Sequence, residues 1–383
     1  MENELRLYAD GAHDDTKALQ ALLDQRGLVT VPDGRYLISS ALVLHDDTCL
    51  HLSHNAVICL ADDACCYMLT NDRCYKEGRN HHITVEGGTW YGNNAHQRRG
   101  KIHPEKPYYW GMIMRFQGME DLTVRDVTYK DPESYALLIM DADRFTVENI
   151  TFDFNMLRPN MDGVHVQGPS FNGYIRNIKG ATNDDLVALN CDDRLDDGEE
   201  RMNTKGDIEN MTVDGLYADN GYTAVRLLSC GSKMRNVVIR NVFGTYRLYG
   251  VSFTHHNIFP GAPVWFDGIQ VDGVYCSKPP QDPPVDPKFI RGMDDIYGEG
   301  SHDAHVQHAP IVWFAKGVAG GNVRISNVHR IEKAVTQAHT VQIDEDVHFE
   351  RLVLDNVTQR FENCPAMPLV LNNGQVDELI TLP

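Results

Sequence analysis

A short phrase of alternating apolar residues, closed by Asn, Asp or Gly and one aliphatic residue, recurs along this chain. It reads LTVRDV at 122–127, FTVENI at 145–150, YIRNI at 174–178 and MTVDGL at 211–216. It returns as VVIRNV at 237–242, IQVDGV at 269–274, VRISNV at 323–328 and LVLDNV at 352–357. The closing aliphatic residues are spaced 23, 28, 38, 26, 32, 54 and 29 residues apart. Between copies lies a second alternating run, such as GVHVQ at 163–167, LVALN at 186–190, AVRLL at 224–228 and GVSFT at 250–254. Period 2 throughout, with no helical stripe between strands, argues against a sheet built from strand–helix–strand units. A unit of about 23–30 residues holding two or three short strands is the pattern of a parallel β-helix.

This settles a difficulty of size. At 383 residues the chain exceeds the roughly 250–300 residues at which one compact core stops growing, and a solenoid grows by repetition instead. The expected fold is all-β: one single-stranded, right-handed parallel β-helix over residues 1–383. Residues 1–26 form an N-terminal cap, since DDTKALQALL at 14–23 is the one convincing amphipathic helix. The 54-residue interval is expected to hide an extra coil plus an inserted, Pro-rich loop at 279–308.

A net charge of −19 argues against nucleic acid or an anionic membrane as partner, because both attract basic surfaces. No run approaches the roughly 20 apolar residues of a membrane span. The opening MENELR lacks the basic-then-apolar pattern of a signal peptide, and the nine cysteines include no C-x-x-C pair. A cytoplasmic protein without a zinc site is expected. Oligomeric state cannot be read from these features.

Asp10-Gly11, Asp14-Asp15-Thr16 and the Val31-Pro32…Gly34-Arg35-Tyr36 turn resemble the N-terminal cap of the pectate-lyase-like superfamily. Asn160-Met161-Asp162-Gly163, followed by Asn183-Asp184-Asp185, resembles the N-T-D and G-D-D motifs of polygalacturonases, glycoside hydrolase family 28. The general likeness covers nearly the whole chain, and its catalytic part only about residues 155–260.

Asp162 lies 22 residues before Asp184 and 23 before Asp185, close to one coil, so the acids should stack on neighbouring coils. Strands about 4.8 Å apart place such carboxylates within reach of the roughly 5–9.5 Å separations that glycosidases use. Crowded like charges push pKa values apart, leaving one acid protonated while its partners ionise. The resemblance implies Asp184 as general acid, Asp162 and Asp185 as holders of the attacking water, and inversion at the anomeric centre. The plain alternative is that Asp and Asn at strand starts serve as turn residues.

The family continues with a His and then an Arg-x-Lys pair that grips the uronate carboxylate. Here Thr223 stands at the His position, and Ser252 and Thr254 replace the basic pair. Alternation puts His165, Ala188, Arg226 and Ser252 in one outward column beside the acids. Arg226 then either clamps a carboxylate or hydroxyl pair of the substrate, or pairs with Asp185. His165, Asn160, His255 and His256 are further substrate-binding candidates. The acidic run at 192–200 reads as a solvated loop or a calcium site; its spacing fits no EF-hand, so no metal and no cofactor is assigned. Trp90, Tyr91, Tyr108, Tyr109, Trp110 and Trp265 are either packing or sugar-stacking residues.

The expected partner is a carbohydrate, and the expected function is hydrolysis of a pectin-like, uronate-containing glycan. The rivals are a polysaccharide lyase working by β-elimination, with Arg226 as base, and a non-catalytic glycan-binding solenoid.

Overall fold

The computed structural model describes residues 6–74, 76–98, 111–158, 160–192, 204–255, 265–279, 309–362 and 364–383. Among them the chain winds as a parallel β-helix whose coils contribute to three sheets. Sheet A stacks residues 122–125, 145–148, 173–176, 211–214, 237–240, 269–272, 323–326 and 352–355. Sheet B follows after one turn and runs through Ile150, Ile178, Leu216, Val242, Val274, Val328 and Val357. Sheet C carries the second alternating run: 114–117, 137–140, 164–167, 187–190, 225–228, 251–254, 312–314 and 341–343.

The recurring phrase marks the A-to-B corner. Its penultimate residue is Asp126, Asn149, Asn177, Gly215, Asn241, Gly273, Asn327 or Asn356, and all eight have φ between 51° and 78°. That left-handed conformation is open to Gly and tolerated by Asn and Asp. The Asn side chains also bond from coil to coil. Nδ2 of Asn177 donates to Oδ1 of Asn149 (3.0 Å), and Asn149 to Asp126 (3.0 Å). The phrase therefore records a corner that each coil must turn and a ladder that links it to the last.

Inward residues of all three sheets fill a continuous apolar core, with Val164, Val166, Val187, Leu189, Val225, Leu227, Val251 and Phe253 from sheet C fully buried. The helix spans Thr16–Leu23, starting two residues into the run at 14–23. It sets Leu19 and Leu23 into the N-terminal end of that core beside Leu42, Leu50 and Trp90. Trp90 is thus a packing residue.

The 54-residue interval holds no extra coil. Val271 pairs directly with Ile325 in sheet A, and Val251 directly with Val312 in sheet C. The interval is one coil carrying a long insertion, because adjacent rungs leave no space for another between them. Of the expected loop, residues 280–308 lie outside the described residues, as do His256, Tyr108, Tyr109, Trp110 and 193–200 of the acidic run.

Candidate active site

Sheet C holds the predicted outward column, His165, Ala188, Arg226 and Ser252, in register on successive rungs, and continues it with Leu138 and Arg115 on one side and Trp313 on the other. Outward does not mean exposed. Leu138, His165 and Ala188 are buried, covered on the N-terminal side by Tyr67, Met112 and Tyr135. The Tyr135 ring stacks on His165 at 4.2 Å and 12°.

Asp162 and Asp185 occupy the same level at the entry to this sheet. The Gly163 amide donates to the Asp185 carbonyl (2.9 Å), and the Ala136 amide to that of Asp162 (2.9 Å). Gly163 is required by that stacking, since a Cβ there would stand 2.5 Å from both the Leu186 carbonyl oxygen and the Phe152 ring. Asp184 follows from a turn braced by the Thr182 hydroxyl, which donates to the Asp184 carbonyl (2.8 Å). All three acids are at most 7 % exposed.

Each acid has its own partner. His165 Nδ1 donates to Asp162 (2.7 Å), while Nδ2 of Asn190 donates to His165 Nε2 (3.1 Å). These two contacts fix the orientation of the imidazole ring. Arg226 Nη1 donates to Asp185 (3.2 Å). Asn160, in a left-handed conformation, donates from Nδ2 to Asp184 (3.3 Å). Burial and the neighbouring Asp184 push Asp162 up to about 6, against the pull of His165. Burial pushes Asp185 well above the carboxylate range, against Arg226, with Asp184 and Asp162 adding to the rise. Such shifts belong to the cluster: acids this close cannot all ionise, so the group keeps a proton that an isolated carboxyl would lose.

Two sequence expectations change. His165 spends its ring nitrogens on Asp162 and Asn190, so it orients an acid rather than facing a substrate. Arg226 takes the alternative of pairing with Asp185. His255 stands at the opposite end of sheet C, with Nε2 2.7 Å from the Lys316 carbonyl oxygen. It lies six residues beyond the level of the acids, about 20 Å along the strand at roughly 3.3 Å per residue.

The structure adds residues that the motifs did not mark. Arg247, 4 % exposed, donates from Nη2 to Asn183 Oδ1 (3.0 Å) and lies over the Tyr222 ring at 5.4 Å. Burial lowers its pKa to about 10, opposed by Tyr222 and Asp184, so it remains cationic at neutral pH. Asn183 in turn donates to the Arg158 carbonyl (2.8 Å). Arg247 and Tyr222 sit in turns, where period 2 gives no signal; Asn190 was legible only as the next outward position after Ala188.

The model of the family "Glycosyl hydrolases family 28" matches residues 73–196, the stretch containing all three acids. No curated protein matches. The fold is similar to that of an endo-xylogalacturonan hydrolase from Aspergillus tubingensis, at 12% identity and TM-score 0.66, covering 99% of this chain and 97% of that one. It is similar to a polygalacturonase from Erwinia carotovora ssp. carotovora, at 12% identity and TM-score 0.61, covering 95% and 94%. A surface adhesin of Streptococcus pneumoniae has the same fold, at 15% identity and TM-score 0.56, covering 97% and 92%. The fold thus houses both enzymes and adhesins, and only the site can speak for chemistry. By fold this chain is a right-handed parallel β-helix protein, and over residues 73–196 it resembles glycoside hydrolase family 28.

Proposed function

We propose that this protein hydrolyses a glycosidic bond in a pectin-type glycan, with Asp184 as general acid and Asp162 and Asp185 holding the attacking water. The observation that carries this reading is the buried triad itself: three carboxylates on two adjacent rungs, with His165 and Arg226 each favouring negative charge on one of them. Asp184, which accepts a hydrogen bond from the Asn160 amide, is assigned the acid's role by its place in the G-D-D-like motif. Asp162 and Asp185, in their ionised forms, polarise water for attack on the opposite side of the sugar, with inversion. A solenoid serving only as an adhesive surface has no need to bury three acids together. Elimination with Arg226 as base is disfavoured by its ion pair with Asp185, which stabilises the cationic form.

Incubation with a panel of pectin-derived glycans should release new reducing ends without unsaturated-uronate absorbance. Asp184→Asn should lower kcat by about 10²–10⁴-fold with an unchanged melting temperature. Near-normal turnover by that variant would overturn the assignment.

A further inference from the structure

Resting on that hydrolytic reading, we propose that the subsite C-terminal to the acids holds an uncharged sugar ring, seated against the Tyr249–Trp313 aromatic pair. Asp185 pairs in register with Thr223, and the Ala224 amide donates to the Tyr249 carbonyl (3.0 Å), so Tyr249 continues the level of the acids. It stands two strand spacings from Asp185, about 10 Å, on the side where the column runs Arg226, Ser252, Trp313. Thr223 and Ser252, small and 1 % exposed, form the buried floor of the strands between the acids and that pair.

The wall beyond that floor is aromatic and fixed. The Tyr249 and Trp313 rings stack at 4.5 Å and 11°, and both residues are half-buried. Trp313 Nε1 donates to Asp344 Oδ2 (2.8 Å), and Nε2 of Gln342 donates to the other Asp344 oxygen (2.8 Å). An aromatic pair held by its polar handle offers apolar surface to the C–H face of a sugar, with little ordering cost on binding.

Among the described residues, the charge balance disfavours a uronate in the same place. The arginines beside the acids are committed, Arg226 to Asp185 and the buried Arg247 to Asn183. The acid cluster, even with one proton retained, and Asp344 supply negative charge around the floor. A substrate carboxylate set there loses hydration and meets like charge, which is costly unless a cation pairs with it. The net charge of −19 adds a long-range repulsion against a polyuronate.

The test uses a matched pair: pectin-derived oligosaccharides and the same preparation after carboxyl reduction, which turns uronate units into neutral hexoses. Wild-type kcat/KM should favour the neutral member by tenfold or more. Trp313→Phe should raise KM for the neutral member severalfold, and Ser252→Arg should shrink or reverse the preference. Calorimetric binding of both members to Asp184→Asn reads the subsite without turnover. Cleavage of neither member by the wild type would sink the hydrolytic reading while that binding preference still decided the subsite. A preference for the uronate, equal binding of both, or binding of neither would overturn the uncharged subsite.

Discussion

Asp162 shows what burial does to one carboxyl. Its pKa rises from 3.8 to about 6, so the folded state holds the proton more tightly than the unfolded chain. The stability gained from that proton is full below about pH 4 and is lost as pH rises through about 6. Asp162→Asn removes the titration while keeping an oxygen for His165. Relative to the parent, the variant should gain on the order of 1–3 kcal/mol between about pH 5 and pH 8, read by denaturation at both values. An unchanged difference would show that this carboxyl does not titrate there. The acids themselves were legible because they recur one coil apart in distinctive contexts. His165 was legible only as outward-pointing: alternation gives the direction of a side chain, not what lies over it, and here Tyr135 covers it.

At the scale of elements, the A-to-B corner carries the repeat. Asn177 combines φ of 54° with its bond to Asn149. Asn177→Ala loses both the bond and the residue type suited to that conformation, at a cost of about 1–3 kcal/mol. Asn177→Gly loses the bond alone and should recover most of the difference. Urea titrations of the two variants give the order; an Ala variant as stable as the Gly variant would remove the conformational part of the argument. The same corner explains why the fold could be read from sequence, since its backbone demand writes Asn, Asp or Gly at a fixed place in every coil. The B-to-C turns place their left-handed residues, Asp131, Asn160 and Asn220 among them, at no fixed position. They supply Tyr222, Arg247 and Tyr249, and that half of the site left no periodic trace. The 54-residue interval misled for a related reason: length alone does not distinguish a coil from an insertion, whereas pairing does.

The whole molecule is a stack in which each coil touches mainly its neighbours, so its ends are where order is most easily lost. Leu19 and Leu23 close the N-terminal end. Leu19→Asp, which sets a charge into that apolar end, should cut amide-exchange protection across residues 29–60 by tenfold or more. Protection at Leu352–Leu354 should hardly change. A uniform loss along the chain would show a single cooperative unit instead.

The stacking of Asp162 directly against Asp185, through the Gly163 amide, also limits how such a molecule can change its length. One additional coil after Ile343, or ahead of Met114, leaves every pairing from Asp162 to Trp313 as it stands and only extends the groove. The same coil placed between Gly163 and Asp185 moves the acids apart by one rung, about 4.8 Å, and dissolves their shared proton. Duplication, the easiest mutation for a repetitive gene, is therefore open at both ends of this protein and closed at its centre.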